Sequence, residues 1–113
     1  MGGVYLKLKE LIEKANADLS FKEKIKGWDR VISFHITDDK EESCLIMTKD
    51  GEVSLEKGDV STSDIIVTTD IESFNEIVKG SLKPSNAFLS GRLKVEGPIF
   101  DLIKMNSVFK VLL

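Results

Sequence analysis

Lys83-Pro-Ser-Asn-Ala-Phe-Leu-Ser-Gly-Arg-Leu-Lys-Val-Glu-Gly97 decides the fold, because it compresses a helix start, a helix stop, a strand and the opening of another helix into one stretch. Proline just inside a helix start sacrifices no hydrogen bond, since that N–H has no intrahelical partner, so Pro84 opens a helix. Gly91 accepts the left-handed conformation that ends one. Arg92 to Glu96 alternates polar and apolar side chains, the period of a half-buried strand. Gly97-Pro98 then opens a final helix by the logic of Pro84.

The same punctuation extends toward the N-terminus. Thr69 and Glu72 have capping-box spacing, and Asp70 is a second N-cap candidate. Either starts a helix running through Val78, which Gly80 ends. Ahead of it, Asp64 to Thr69 reads as a strand. Asp50-Gly51 is a hairpin signal, because the favoured two-residue turn needs positive φ at both positions. It joins a strand over Ser43–Thr48 to one over Glu52–Glu56, with Val53 and Leu55 inward and a turn at Lys57–Asp59. Arg30 to Thr37 alternates, placing Ile32, Phe34 and Ile36 on one face and Val31, Ser33, His35 and Thr37 on the other. Asp38 to Glu42 is the polar turn that follows.

Tyr5, Leu8, Ile12, Ala15 and Leu19 recur at helical spacing, so residues 4–26 read as an amphipathic helix, weakened over Asn16–Ser20 and stopped by Gly27. The last helix carries Ile99, Leu102, Ile103 and Val108, with Phe100 and Phe109 alongside. The order is helix, four strands, two helices, strand, helix. It implies an α+β fold: a five-stranded, mostly antiparallel sheet covered on one face by helices. The strands begin as a meander, and the helical crossover is expected to return the fifth strand parallel to a neighbour. The other sheet face must then be polar or covered by a partner.

A chain of 113 residues reads as one domain over 1–113. At 42% hydrophobic and 31% charged it has a globular composition. Apolar runs such as Leu45-Ile-Met47 fall far short of a membrane span, so no transmembrane segment is expected. The N-terminus offers no secretory h-region, Leu6 occupies the place where a myristoylation signal needs Ser or Thr, and Lys110-Val-Leu-Leu113 matches no retention or peroxisomal address. With Cys44 as the single cysteine, no intramolecular disulfide is expected and a reducing compartment fits. The expected location is cytoplasmic.

A net charge of −3 argues against nucleic acid as a partner. The charge is uneven: residues 1–78 carry 10 basic and 17 acidic side chains, residues 79–113 carry 6 and 2. That basic third suits either a solvated face or an anionic lipid surface.

Catalytic and metal-binding constellations are not recognisable. His35 is the only histidine, and Cys44 is its only soft neighbour, whereas a metal site needs three or four convergent ligands. A Cys44–His35 nucleophile lacks a third orienting group. Asp38, Asp39, Glu41 and Glu42 crowd one loop without the spacing of a calcium site. Gly2-Gly3 follows no strand and is no phosphate loop. No enzyme activity, cofactor or metal is expected. What remains is the apolar set on the helices, which core packing explains, and which also suits a surface that re-packs around varied ligands.

Asp64-Ile-Ile-Val-Thr-Thr-Asp70, Phe74 to Gly80, Lys83-Pro84, Ala87-Phe88 and Gly91-Arg-Leu-Lys-Val-Glu-Gly97 together resemble the successive signature segments of the sterol carrier protein type 2 family, and the chain looks like a small stand-alone member of the prokaryotic type. The resemblance covers nearly the whole chain. It implies an apolar tunnel between sheet and helices that takes fatty acid, acyl-CoA or sterol-like lipid without covalent chemistry. The residues it implies as lipid-binding are Phe34, Ile36, Leu45 and Met47 on the strands, Phe74, Phe88 and Leu89 on the two short helices, and Phe100, Ile103, Met105 and Phe109 on the last. The function expected is lipid binding and carriage. The alternative is a dimerisation or accessory module of a lipid- or quinone-related enzyme, with Phe109, Val111, Leu112 and Leu113 packed on another chain, which leaves a homodimer open.

Overall fold

The computed structural model describes residues 3–58 and 63–112, with side chains as far as Val108. The chain runs α1 (Val4–Asn16), α2 (Leu19–Ile25), β1 (Arg30–Ile36), a single 3-10 turn (Lys40–Glu42), β2 (Cys44–Lys49), β3 (Glu52–Lys57) and β4 (Ile65–Thr69). It continues with α3 (Ile71–Lys79), α4 (Pro84–Leu89), β5 (Leu93–Glu96) and α5 (Ile99–Leu112). The fold is α+β. The expected turn at Lys57–Asp59 runs into residues outside the description.

Local chemistry sets the boundaries. The N-terminal helical pattern breaks where Asp18 accepts a hydrogen bond from the Phe21 N–H, capping α2 and separating it from α1. Asp50 (φ 51°) and Gly51 (φ 81°) form the hairpin turn between β2 and β3. Of the two cap candidates for α3, Asp70 is used, accepting from the Ser73 N–H at 2.6 Å. Thr69 instead donates to the Arg92 carbonyl at 2.9 Å. Pro84 sits in the first turn of α4.

The five strands form one sheet in the order β3-β2-β1-β4-β5. The pairs β1–β2, β2–β3 and β4–β5 are antiparallel, and β1–β4 is parallel. Two expectations are corrected here. The fourth strand does not continue the meander, and the parallel pair is made by β4, not by the fifth strand. The reason lies in the side chains. Ile65-Ile-Val67 is apolar on both faces and needs an interior position, whereas β3, with Glu52, Glu56 and Lys57, tolerates an edge. Lys94 and Glu96 on β5 close the opposite edge in the same way.

Register divides the sheet into two faces. Phe34 is paired with Cys44 and Val67, and Ile32 with Ile46 and Ile65, so these residues share the face that α1, α3 and α5 cover. Ser33, Leu45 and Ile66 are in register on the outer face, with Met47 and His35. Val4, Leu8, Ile12 and Ala15 of α1, Phe74 of α3, and Met105 and Val108 of α5 complete the core. Among the described residues, no helix is long and apolar enough to cross a membrane.

Candidate functional site: an apolar cavity between sheet and helices

The sheet's inner face and the helices do not close on each other. Between them lies a cavity of about 590 Å³, within the range of small-molecule sites, ~300–1,000 Å³. Its floor is Ile32, Phe34, Ile46, Val53, Val67, Leu93 and Val95. Its walls are Leu8 and Ile12 of α1, Phe74, Ile77 and Val78 of α3, Phe88 and Leu89 of α4, and Ile99, Leu102, Ile103, Met105 and Val108 of α5. Polar groups are few. Two of them, Thr48 and Thr69, spend their hydroxyls on the backbone carbonyls of Trp28 and Arg92. Ser85 and Asn106 are exposed at the rim.

Six of the eleven residues expected at a lipid site line this cavity: Phe34, Phe74, Phe88, Leu89, Ile103 and Met105. Phe34 and Phe74 meet edge to face, with ring centres 5.7 Å apart and planes at 84°, bracing β1 against α3. Ile36 is on the inner face but buried beyond the cavity. Leu45 and Met47 lie on the other side of the sheet, opposite Ser33 and Val31. The expectation for these two erred by one residue of register, which turns a strand's apolar set to the wrong face. Cys44, Ile46 and Thr48 point inward in their place. Phe100 stands outside the lining, 82% exposed. Phe109, like Val111, Leu112 and Leu113, lies outside the residues whose side chains are described.

The Trp28 ring is a lining residue that the apolar pattern of the helices does not reveal. Its Nε1 donates to Asp101 Oδ1 at 3.0 Å, and Arg30 Nε donates to the same oxygen at 2.9 Å. This buried carboxylate of α5 thus has two donors from the corner that precedes and begins β1. A charge inside the run Ile99–Ile103 was the one available signal. Arg92, which begins the alternating segment, turns back to α3, where it donates to Ser73 Oγ at 3.0 Å and pairs with Glu76. The hydrogen bond from Arg92 to Glu76 pushes the guanidinium's pKa further up.

Among the other titratable groups, three carboxylates serve the backbone. Asp38, Asp39 and Glu42 accept from the N–H groups of Ile71, Glu41 and Val4. His35 Nε2 lies 3.0 Å from Ser33 Oγ on the outer face. Cys44 faces the opposite way and is fully buried, its thiol pushed up to about 12 by burial and, second, by the charge of Glu42. The two sit on opposite faces of the sheet and form no catalytic pair. No group of three or more His, Cys, Asp or Glu among the described residues converges to hold a metal ion.

Comparison with known proteins places these features. The SCP-2 sterol transfer family matches residues 8–110. The hydroxysteroid dehydrogenase-like protein 2 of Xenopus tropicalis is 26% identical over 84% of this chain, which spans only 23% of that relative's length. Among solved structures, a crystal structure of sterol carrier protein 2 superposes with a TM-score of 0.72 at 15% identity, covering 96% of this chain and 91% of that one. Sterol carrier protein domain 2 of Helicoverpa armigera gives 0.70 at 20% identity, covering 96% and 87%. At these identities the structural likeness concerns the fold.

Proposed function

The chain belongs to the SCP-2 sterol transfer family, and from that premise we propose that it binds and carries fatty acyl lipid in the cavity, without covalent chemistry. The observation that carries this reading is the lining. Phe34, Phe74, Val67, Leu102 and Met105 present hydrocarbon, and the hydroxyls of Thr48 and Thr69 are already committed. Such a surface recognises an alkyl chain and offers little to a polar substrate. Ser85 and Asn106 are the polar lining groups left for a head group at the rim.

The energetics allow useful affinity without specific polar contacts. Burying an alkyl chain gains about 0.8 kcal/mol per methylene, so ten buried methylenes contribute about 8 kcal/mol before association costs. Micromolar binding requires about 8 kcal/mol net, so a chain longer than ten buried methylenes offsets the association costs. Catalysis has no place in this scheme, because Cys44 is a buried thiol and His35 is on the far side of the sheet.

The test is displacement of a fluorescent fatty acid from delipidated protein, read together with the emission of Trp28, the chain's one tryptophan and part of the lining. One-to-one displacement with a concurrent change in Trp28 emission is expected. No displacement at tens of micromolar fatty acid overturns the reading.

A further inference from the structure

The two edges of the sheet end differently. At β3, Asn16 of α1 donates to the Val53 carbonyl at 2.8 Å and accepts from the Val53 N–H at 2.9 Å, so a side chain stands where a further strand would. Lys57, at the end of the same strand, lies over the Tyr5 ring of α1, 5.1 Å from its centre. Nothing among the described residues does this at β5. It pairs with β4 on one side, and its backbone makes no hydrogen bond on the other. Such an edge is a template for another strand.

Register says which groups that edge offers. The Thr37 N–H donates to the Thr69 carbonyl, which turns the backbone groups of Thr69 toward β1. Those groups alternate in direction along a strand, so Thr68 and Ile66 turn theirs to β5, where Lys94 and Glu96 are their partners. Leu93 and Val95 therefore aim their N–H and C=O groups away from the sheet, while their side chains form cavity floor on the inner face. Lys94 and Glu96 stand on the outer face, 68% and 52% exposed, and their mutual contact is long at 3.8 Å.

We infer that this edge pairs with β5 of a second copy of the chain, antiparallel about a two-fold axis at Val95. Residues opposite one another must both turn their backbone groups to the partner strand or both away, which limits the register to steps of two residues. The register centred on Val95 sets Lys94 opposite the partner's Glu96, and Glu96 opposite the partner's Lys94. The two neighbouring registers set Lys94 against the partner's Lys94, or Glu96 against the partner's Glu96, and like charges directly opposite are destabilising. The order Lys94-Val-Glu96 thus makes a charged edge complementary to itself in one register, as a two-fold contact requires. On β3 the same face carries Glu52 and Glu56, which offer no such match. The two five-stranded sheets become one continuous sheet, with Val95, a floor residue of each cavity, at the axis. This holds whatever the cavities contain.

The test is the oligomeric state of the full chain, read by sedimentation velocity from micromolar to millimolar concentration. A reversible dimer is expected. Lys94→Glu and Glu96→Lys each set like charges opposite one another and are expected to weaken it about tenfold or more. The double variant carrying both exchanges restores the opposite-charge pairs and is expected to dimerise as the wild type does. Glu56→Lys, an exposed site on the other edge of the sheet, is the control and leaves the dimer unchanged. Val95→Pro removes an N–H that β4 does not use, so it spares the β4–β5 ladder while denying the second copy its hydrogen bond. It is expected to be monomeric with the wild-type circular dichroism spectrum. A wild-type chain that stays monomeric at millimolar concentration overturns the inference and leaves the edge to a strand of another protein. So does a dimer that is indifferent to Lys94→Glu, one that the double exchange fails to restore, or one that survives Val95→Pro.

Discussion

The indole Nε1 of Trp28 donates to Asp101 Oδ1 at 3.0 Å, and this bond pins the first turn of α5 to the corner where β1 begins. Arg30 shares the same oxygen and stacks its guanidinium 6.0 Å from the Trp28 ring centre. Asp101→Ala leaves a buried indole N–H without its acceptor, a loss of about 1–3 kcal/mol. Asp101→Asn keeps an acceptor oxygen and is expected to lose less. Urea denaturation of the two variants checks the ordering, and equal losses would show that the carboxylate charge, not the bond to Trp28, holds the corner.

Phe74 and Phe88 both line the cavity but differ in what else supports them. Phe74 is buried and braced edge-on by Phe34, so Phe74→Ala is expected to cost about 3–5 kcal/mol of stability. Phe88 is half exposed at the rim, so Phe88→Ala is expected to weaken fatty acid binding while leaving the urea midpoint nearly unchanged. Met47→Ala, on the outer face, should leave fatty acid binding as it is. A large binding defect in the Met47 variant would contradict the observed register.

How far the chain itself discloses this arrangement depends on which physics is local. Pro84, Gly91, Asp70 and Asp50-Gly51 act within a few residues, and the elements begin and end where they dictate. Strand order is decided between distant segments. Nothing near Ile65-Ile-Val67 announces that β4 passes β2 to lie beside β1; only its two-sided apolar character hints at an interior place. The inward face of β2 was hidden for a related reason. Cys44-Leu-Ile-Met47 is apolar throughout, so alternation gives no phase, and Phe34 opposite Cys44 must supply it. Arg92 and Asp101 were opaque because a charged residue in a strand or helix reads as solvated until its partner, Glu76 or Trp28, is brought near by the fold.

Gly97, between β5 and α5, passes so close to β4 that an added Cβ would lie 2.9 Å from the Asp64 carbonyl oxygen and 3.3 Å from Ile65 Cγ1. Asp64 cannot yield easily, since its N–H donates to the Val31 carbonyl at 2.9 Å and its Oδ2 accepts from the Val31 N–H at 2.8 Å. Gly97→Ala is therefore expected to cost about 1–3 kcal/mol by overpacking. Denaturant titration checks it. A midpoint equal to the parent's would mean that the β5–α5 connection slides freely past β4.

Cys44 gives the fold an alkaline limit whose sign follows from its burial. Its ordinary value is 9.0, and in the folded chain desolvation, with a smaller push from Glu42, raises it to about 12. Below pH 9.0 both folded and unfolded chains keep the thiol proton, and Cys44 contributes no pH dependence. Between pH 9.0 and about 12 the unfolded chain releases the proton while the folded chain holds it, so stability falls as pH rises, by up to about 1.4 kcal/mol per unit. Other groups titrate in the same range, which is why the measured quantity is the difference between the parent and Cys44→Ala. That variant loses a constant amount of packing at every pH and lacks the alkaline slope. The two urea-derived stabilities should therefore converge as the pH is raised through this window. A difference that stays constant would mean that the Cys44 thiolate is accommodated in the folded chain, by water reaching β2 or by movement of Glu42 away from it.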